Sequence, residues 1–519
     1  MKNRDLKAAW DYHNGTKHSY QSVRANPHYL DWGNQPIPFK IYSKLEAITL
    51  PQHLSSSGMA ALDAISIPRS PLDRETIPSL QTLAEILFLS AGITKRKSYP
   101  GGEMLFRAAA CTGALYHIDL YLICGDLPDL GAGVYHFSPQ DFSLRKLRQG
   151  DFRAVLVRAS GKEPAIANAP CVIVCVSTYW RNAWKYQTRA YRHCYWDNGT
   201  ILANLLAAAA ARKIPAKVVA GFVDTALNEL LILDNQREAA ISLIALGNSS
   251  SGAVSSAPLE PLTLETVPLS KREIDYPAMR AMHEASSLES EEEVATWREE
   301  RQGIGKRKDE SGEGTRLFPL NPLSDEEIPR DSIEQVIMRR GSTREFSRES
   351  ISFAQLSTIV ARATRGIPAD FLNSAEESLN EVYLIVHAVD DLPPGAYVYR
   401  QQTYELELLK EGNFRREAGY LGLGQEIPAD CSVNVYFLSD LNRALERFGN
   451  RGYRAAQLEA AIMGGKFYLA AYALRLGASG LTFFDDDVTE FFSPHAAGKS
   501  VMFLIALGKS AKRKGLKVI

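Results

Sequence analysis

The sequence has no surplus of either charge. Its 59 basic residues meet 60 acidic ones, for a formal net charge of −1. A broad nucleic-acid or anionic-membrane footprint needs clustered Lys and Arg, so neither partner is expected. Cysteine is scarce. There are six, at positions 111, 124, 171, 175, 194 and 431, with no CxxC pair and no regular ladder. A disulfide scaffold is therefore excluded, and no metal site is expected. Cys171 and Cys175 lie in a β-rich run and read as small hydrophobes. Long hydrophobic runs are missing too. The most apolar, Ile201 to Ala211, is far short of the roughly 20 residues that cross a bilayer, and it reads as a buried helix. The opening MKNRDLKAAW lacks the apolar core of a signal peptide. A reduced, soluble, cytoplasmic protein is expected.

What the sequence does have is a repeat. Arg189-Ala-Tyr-Arg192 recurs 262 positions later as Arg451-Gly-Tyr-Arg454, each copy followed by an Ala-rich run. Asp126-Leu-Pro128 and Gly133-Val-Tyr135 match Asp391-Leu-Pro393 and Gly395-Ala-Tyr397. The strand-like runs at 171–177 and 432–438 match as well. Phe222-Val-Asp224 matches Phe484-Asp-Asp486, and Ala245-Leu-Gly247 matches Ala506-Leu-Gly508 at an offset of 261. Blocks in one order at a nearly constant offset mark a tandem duplication.

Four regions follow. Residues 1–75 read as a polar N-terminal helix and an aromatic, Pro-rich arm wrapped on the surface; 76–247 form the first domain. Residues 248–330 hold a Ser-rich linker and a charged excursion, read as solvated or partly disordered. The second domain is 331–519. Helices are expected over 76–92 and 353–364, and strands over 120–124, 134–137, 171–177, 239–246, 381–389, 432–438 and 501–507. Each half is an α+β domain, with helices on a largely antiparallel sheet.

The second half opens on Arg340-Gly-Ser342-Thr-Arg344-Glu-Phe346, two guanidinium groups and a hydroxyl suited to phosphate oxygens. It closes on Ala-Leu-Gly followed by Lys509, Lys512, Arg513 and Lys514. This combination resembles the FMN-dependent nitroreductase superfamily, over roughly residues 80–510. The first half is most similar to the SagB/ThcOx-type dehydrogenases, which oxidise peptide thiazolines and oxazolines to azoles. The stretches that carry this are Arg107-Ala-Ala-Ala-Cys111-Thr112-Gly113-Ala-Leu-Tyr116, Leu130-Gly-Ala-Gly-Val-Tyr135, and Lys185-Tyr186 ahead of Arg189.

The resemblance implies flavin pockets shared between two domains, here an intrachain pseudo-dimer. Pocket one would combine Arg340, Ser342, Arg344, Lys512 and Arg513 with Arg107, Cys111, Thr112 and Gly113. Ala110-Cys111 stands where the family has Pro-Ser, and a thiol is a weak donor. Pocket two would combine Lys17-His-Ser19-Tyr-Gln21, the Asn and Ser after Gly247, and the acidic loop 373–379; it has lost its parts. One FMN per chain is expected. Lys185 and Tyr186 are the implied catalytic pair, Tyr186 as base and Lys185 lowering its pKa; pocket two has Arg447-Phe448 instead. The expected activity is FMN-dependent oxidation of a small or peptide-borne azoline. The alternatives are an NAD(P)H-dependent nitro or quinone reductase and a flavin-free interaction protein. A leader-peptide-binding domain is not evident.

Overall fold

The computed structural model describes residues 2–25, 27–66, 74–99, 102–252, 259–300, 315–374 and 377–511. Two seven-stranded antiparallel sheets carry the fold. The first runs in the order Ala47–Thr49, Ser143–Gln149, Gly133–Ser138, Ile118–Cys124, Cys171–Thr178, Glu238–Leu246, Ala216–Val219. The second runs Leu317–Pro319, Glu405–Glu411, Gly395–Arg400, Asn380–Val386, Val433–Ser439, Ser500–Gly508, Gly477–Leu481, the same order strand for strand. The central strands Cys171–Thr178 and Val433–Ser439 are buried along their whole length, as short apolar runs between two layers are. The α+β class and the duplication stand as expected. Among the described residues, no helix is long and apolar enough to cross a membrane.

Two long helices, Ala190–Ala211 and Arg451–Ala473, cross between the sheets. Alanine favours helix and occupies little space, so the axes can approach closely. Glycine sets the limit. A Cβ on Gly199 would lie 2.4 Å from the Cβ of Ala461, and one on Gly465 would lie 2.5 Å from that of Ala203. Each of these residues meets its own counterpart, 262 positions away, so the pseudo-two-fold axis passes through the crossing. Trp196 Nε1 donates to Gln457 Oε1 at 2.6 Å across the same joint.

The Arg-x-Tyr-Arg blocks tie the halves together reciprocally. Arg192 Nη1 and Arg189 Nη1 reach the Asp485 carboxylate at 2.5 and 2.9 Å. Arg451 and Arg454 reach Asp224 at 2.6 and 2.7 Å. Both aspartates begin a helix, Asp485–Phe492 and Asp224–Leu231. The sequence match of Asp224 with Asp486 is therefore one residue out; Asp486 is an exposed partner of Lys17. Burial pushes both carboxyl pKa values up, but the paired arginines prevail, holding Asp224 at about 2 and Asp485 well below the ordinary range.

The repeat also starts earlier than the matched blocks. Arg192 donates to His13 O (2.7 Å) and Thr16 Oγ1 (3.1 Å); Arg454 donates to His283 O (2.6 Å) and Ser286 Oγ (2.8 Å). Helices Lys7–Gly15 and Pro277–Ala285, and edge strands Ala47–Thr49 and Leu317–Pro319, are counterparts 270 positions apart. The arm and the excursion are thus the opening segments of two equivalent halves. The arm does not merely wrap the surface: Tyr42, Leu50 and Leu62 lie in the core. The excursion is solvated only in part, since helix Glu291–Glu299 buries Trp297, which donates to Phe448 O at 3.0 Å.

Asp485→Asn should strip the counter-charge from two buried guanidinium groups and cost about 3–5 kcal/mol, while Asp486→Asn should stay within about 0.5 kcal/mol. Denaturant titration separates the two. Because the folded carboxyl values are depressed, this stability is full above the unfolded pKa of about 3.9 and falls away as pH drops towards 2. Acid unfolding in that window should be blunted in Asp485→Asn.

Candidate active site

The ends of the second half meet at one corner of the joint. Helix Ile333–Arg339, closed at its start by a Ser332/Gln335 capping box, delivers Arg340 at its C-terminal end. The chain then runs past the edge strand Gly477–Leu481 and the segment after the last strand: Thr343 N donates to Ala478 O (2.8 Å), Ser347 N to Lys509 O (2.9 Å) and Ala511 N to Glu345 O (3.0 Å). Arg340 Nε donates to Ala108 O at 2.8 Å and Nη2 to Arg107 O at 3.3 Å, clamping the first half's central loop to this corner. Its guanidinium is thus spent largely on carbonyls, not left as a free fork. Ser342 Oγ lies 3.2 Å from Tyr468 Oη. Arg344 is exposed, and among the described residues its side chain has no hydrogen bond or ion pair. Lys512 and Arg513 lie outside the described residues.

The central loop follows strand Gly102–Arg107 and is bent by three residues at positive φ: Gly113 (65°), Ala114 (56°) and Tyr116 (48°). Strain of this kind persists only where the surroundings enforce it. Asp197, on the first long helix, is what enforces it. Its Oδ1 accepts from Thr112 N (2.8 Å) and Thr112 Oγ1 (2.7 Å). Its Oδ2 accepts from Cys111 Sγ (3.0 Å) and lies 2.9 Å from His117 Nε2. Burial, then the Asp197 charge, pushes the Cys111 thiol well above its ordinary pKa. Cys111 and Thr112 thus turn their side chains inward as anchors. Arg107 is buried as well, over the Tyr116 and Phe39 rings, and donates to Pro38 O at 2.5 Å; burial lowers its pKa to about 10.

Tyr186 covers this loop. It ends helix Tyr179–Tyr186, and a Cβ placed on Gly113 would meet Tyr186 Oη at 2.8 Å. The half-buried phenol is pushed up, first by burial and then by Asp197 and Cys111, while Arg344 pulls it down. Lys185 Nζ stands 5.4 Å over the Tyr186 ring face. The charge that lowers the phenol's pKa is Arg344, whereas Lys185 lies over the ring face. Tyr186, Gly113, Arg340, Ser342 and Arg344 therefore gather at one corner, and Cys111, Thr112 and Arg107 lie just beneath it.

Two residues of this site escaped the sequence reading, Asp197 and His117. The signal was available for the first, since an acid, Glu459, stands 262 positions on. Glu459 accepts from Leu379 N at 2.8 Å and Asn380 Nδ2 at 2.7 Å, doing the same work in the other half.

The opposite corner is built differently. The segment expected there, Lys17 to Gln21, lies elsewhere, with Lys17 on Asp486 and His18 N on Asp485. Backbone bridges Thr76↔Asn248 and Phe346↔Ser510 set the real register, which pairs Arg340, Ser342 and Arg344 with Ser70, Leu72 and Arg74. Ser70 and Leu72 lie outside the described residues. Trp297 stacks on Phe448 at 5.1 Å and fills the space over Gly221. Asp370 accepts from Ala220 N (2.8 Å) and Gly221 N (2.9 Å), and Val218 N donates to Pro368 O at 2.8 Å.

The turn after Tyr186 shows the same asymmetry. Gln187 sits at φ 49°, ψ −139°, where the second half has Gly449 at φ 66°, ψ −160°. A side chain in that region costs about 1–3 kcal/mol. Gln187→Gly should raise stability by about 1 kcal/mol in chemical denaturation, after the entropy of the added glycine is discounted; no gain would mean that the Gln187 backbone is unstrained.

Comparison with known proteins agrees with this architecture. A nitroreductase-like protein of Anabaena variabilis superposes on the chain with a TM-score of 0.77 at 26% identity, over 97% of this chain and 99% of that one. A nitroreductase-like protein of Methanocaldococcus jannaschii, MJ1384, is 26% identical over 153 residues, 30% of this chain and 74% of the relative. The Nitroreductase family model matches twice, over residues 71–248 and 337–509, once for each half described above; the chain belongs to the nitroreductase family.

Proposed function

We propose that the chain is an FMN-dependent oxidoreductase with one flavin at the Arg340–Gly113 corner, acting on a small or peptide-borne azoline ring. The observation that carries this is the Tyr186 hydroxyl poised over Gly113 beside the Arg344 guanidinium, which is unpaired among the described residues. The donor set suits the cofactor. Arg344 and Ser342 would hold the phosphate and ribityl chain, joined by Lys512 and Arg513, and the backbone at Cys111 to Gly113 would line the ring system. Bound flavin would supply the acceptor for one hydride, that is two electrons and a proton. The protein's own part is to take a proton from the neighbouring substrate carbon at Tyr186 Oη, to hold the loop rigid through Asp197, and to balance the phenolate with Arg344.

The raised phenol also favours a second reading. A Tyr186 that stays protonated near neutral pH is a proton donor, as an NAD(P)H-dependent nitro or quinone reductase needs. The two readings separate in anaerobic single turnovers. If Tyr186 is the base, Tyr186→Phe retains flavin but slows its reduction by an azoline about 10²–10⁴-fold. The wild-type rate then rises with pH on the alkaline side. Arg344→Gln moves that rise to higher pH, because the phenolate loses the charge that favours it. Lys185→Met costs less than Tyr186→Phe. Unchanged flavin reduction in Tyr186→Phe would leave the reductase reading.

Flavin content tests the site itself. Released FMN should equal one per chain; two would mean that the opposite corner binds as well, and none would favour the interaction-protein alternative. Arg344→Ala should weaken FMN retention roughly 10- to 100-fold, as loss of a charged hydrogen-bond partner does. The buried Arg192, spent on Asp485 and His13, should have no direct part in it.

A further inference from the structure

A cavity of about 300 Å³ remains at the corner opposite Tyr186, at the small end of the range for ligand sites. Its origin is legible from the pseudo-symmetry. In the second half Phe346 packs against Cys431, Ala506 and Ile427. The bridge register places Thr76 at the equivalent of Phe346, while Ala169, Ala245 and Ala165 stand for Cys431, Ala506 and Ile427. Three of these four are smaller than their counterparts, Ala245 matching Ala506, so the packing around Phe346 is not reproduced here. Ala165 and Ala245 line the cavity from the first half, and Ala369 and Leu372 close it from the second.

We propose that this cavity is a second small-molecule site, taking an uncharged molecule that bears one aromatic ring and a carboxamide-like polar end. The ring occupies the space beside Ala165 and Ala245, whose counterparts pack on Phe346 in the other half. The polar end faces Asn168 and Asn373 at the rim. Charge is not called for, because the lining cation, Lys217, is already paired with Glu163 at 2.6 Å. Flavin is not its occupant. Asp370 holds the amides of Ala220 and Gly221, Trp297 covers Gly221, and the chain after Gly247 offers Asn and Ser where the other half has Lys509.

The probe is 4-fluorobenzamide, titrated into the full, flavin-loaded chain and followed by fluorine NMR. Saturable binding at one site per chain is expected, with the flavin absorption spectrum unmoved. Thr76→Phe restores the packing of the other half and should weaken binding about ten-fold or more, with flavin content unchanged and thermal stability kept or raised. Ala245→Leu narrows the same space from the strand side and should weaken binding likewise, which covers a Thr76→Phe chain that does not fold. No saturable binding to the wild type overturns the site. So does binding that survives both variants, or a probe that perturbs the flavin spectrum and so reports the catalytic corner instead.

Discussion

Everything in this molecule hangs on the close crossing of its two long helices. A helix of about 22 residues spans some 33 Å, so the crossing fixes both sheets at once. It is possible because Gly199 and Gly465 each face an alanine with no room for another carbon. The crossing alone would leave the helix starts free to splay. The Arg189/Arg192–Asp485 and Arg451/Arg454–Asp224 clusters pin them, one at each end. Each cluster holds two cations against one anion, and the excess positive charge is spread over backbone carbonyls such as His13 O and His283 O. Breaking such a buried set is far more costly than never having built it.

Within that symmetric frame the two corners have diverged. At one, Asp197 anchors a strained loop beneath Tyr186, and Arg344 is left unpaired among the described residues. At the other, Trp297 and Asp370 occupy the equivalent space from within. The differences are local: glutamine or glycine after the helix that ends at Tyr186 or Phe448, threonine or phenylalanine bridged to the chain beyond the last strand of its half, aspartate or glutamate under the loop. None of them touches the crossing or the ion clusters. The symmetric part therefore bears stability and the asymmetric part bears chemistry, and each can change without disturbing the other.

The sequence made the symmetric part readable and the asymmetric part only partly so. Arg-x-Tyr-Arg and the apolar strand runs survive in both copies because buried ion pairs and β-sheet cores tolerate little substitution. The N-terminal segments escaped because they sit at an offset of 270, and what they share is largely backbone: His13 and His283 both offer a carbonyl. The one-residue slip at Asp485 had a similar cause, since three consecutive aspartates cannot be ranked until a guanidinium is seen to choose one. Site residue types were legible from the resemblance, but their directions were not. Arg340 reads as a phosphate fork and is spent on two carbonyls. Cys111 reads as a flavin-edge donor and points at Asp197. Hairpin Ile93–Tyr99/Gly102–Arg107, which feeds the loop, was missed because its basic, exposed strand lacks an apolar alternation.

Joining the two halves in one chain is what permits this division. In a dimer of identical subunits, a substitution that closes one pocket closes both, so neither Trp297 nor Thr76 could arise without a functional cost at two sites. Once the halves are covalently joined, each residue acts at one corner only. Strain shows the consequence most directly. Gln187 keeps a backbone conformation suited to glycine beside Tyr186, whereas Gly449 adopts nearly the same angles at the opposite corner without that penalty. A strained residue held in only one of two otherwise equivalent turns marks the corner where the geometry still has a task. It is the same corner at which Tyr186, Gly113 and Arg344 come together.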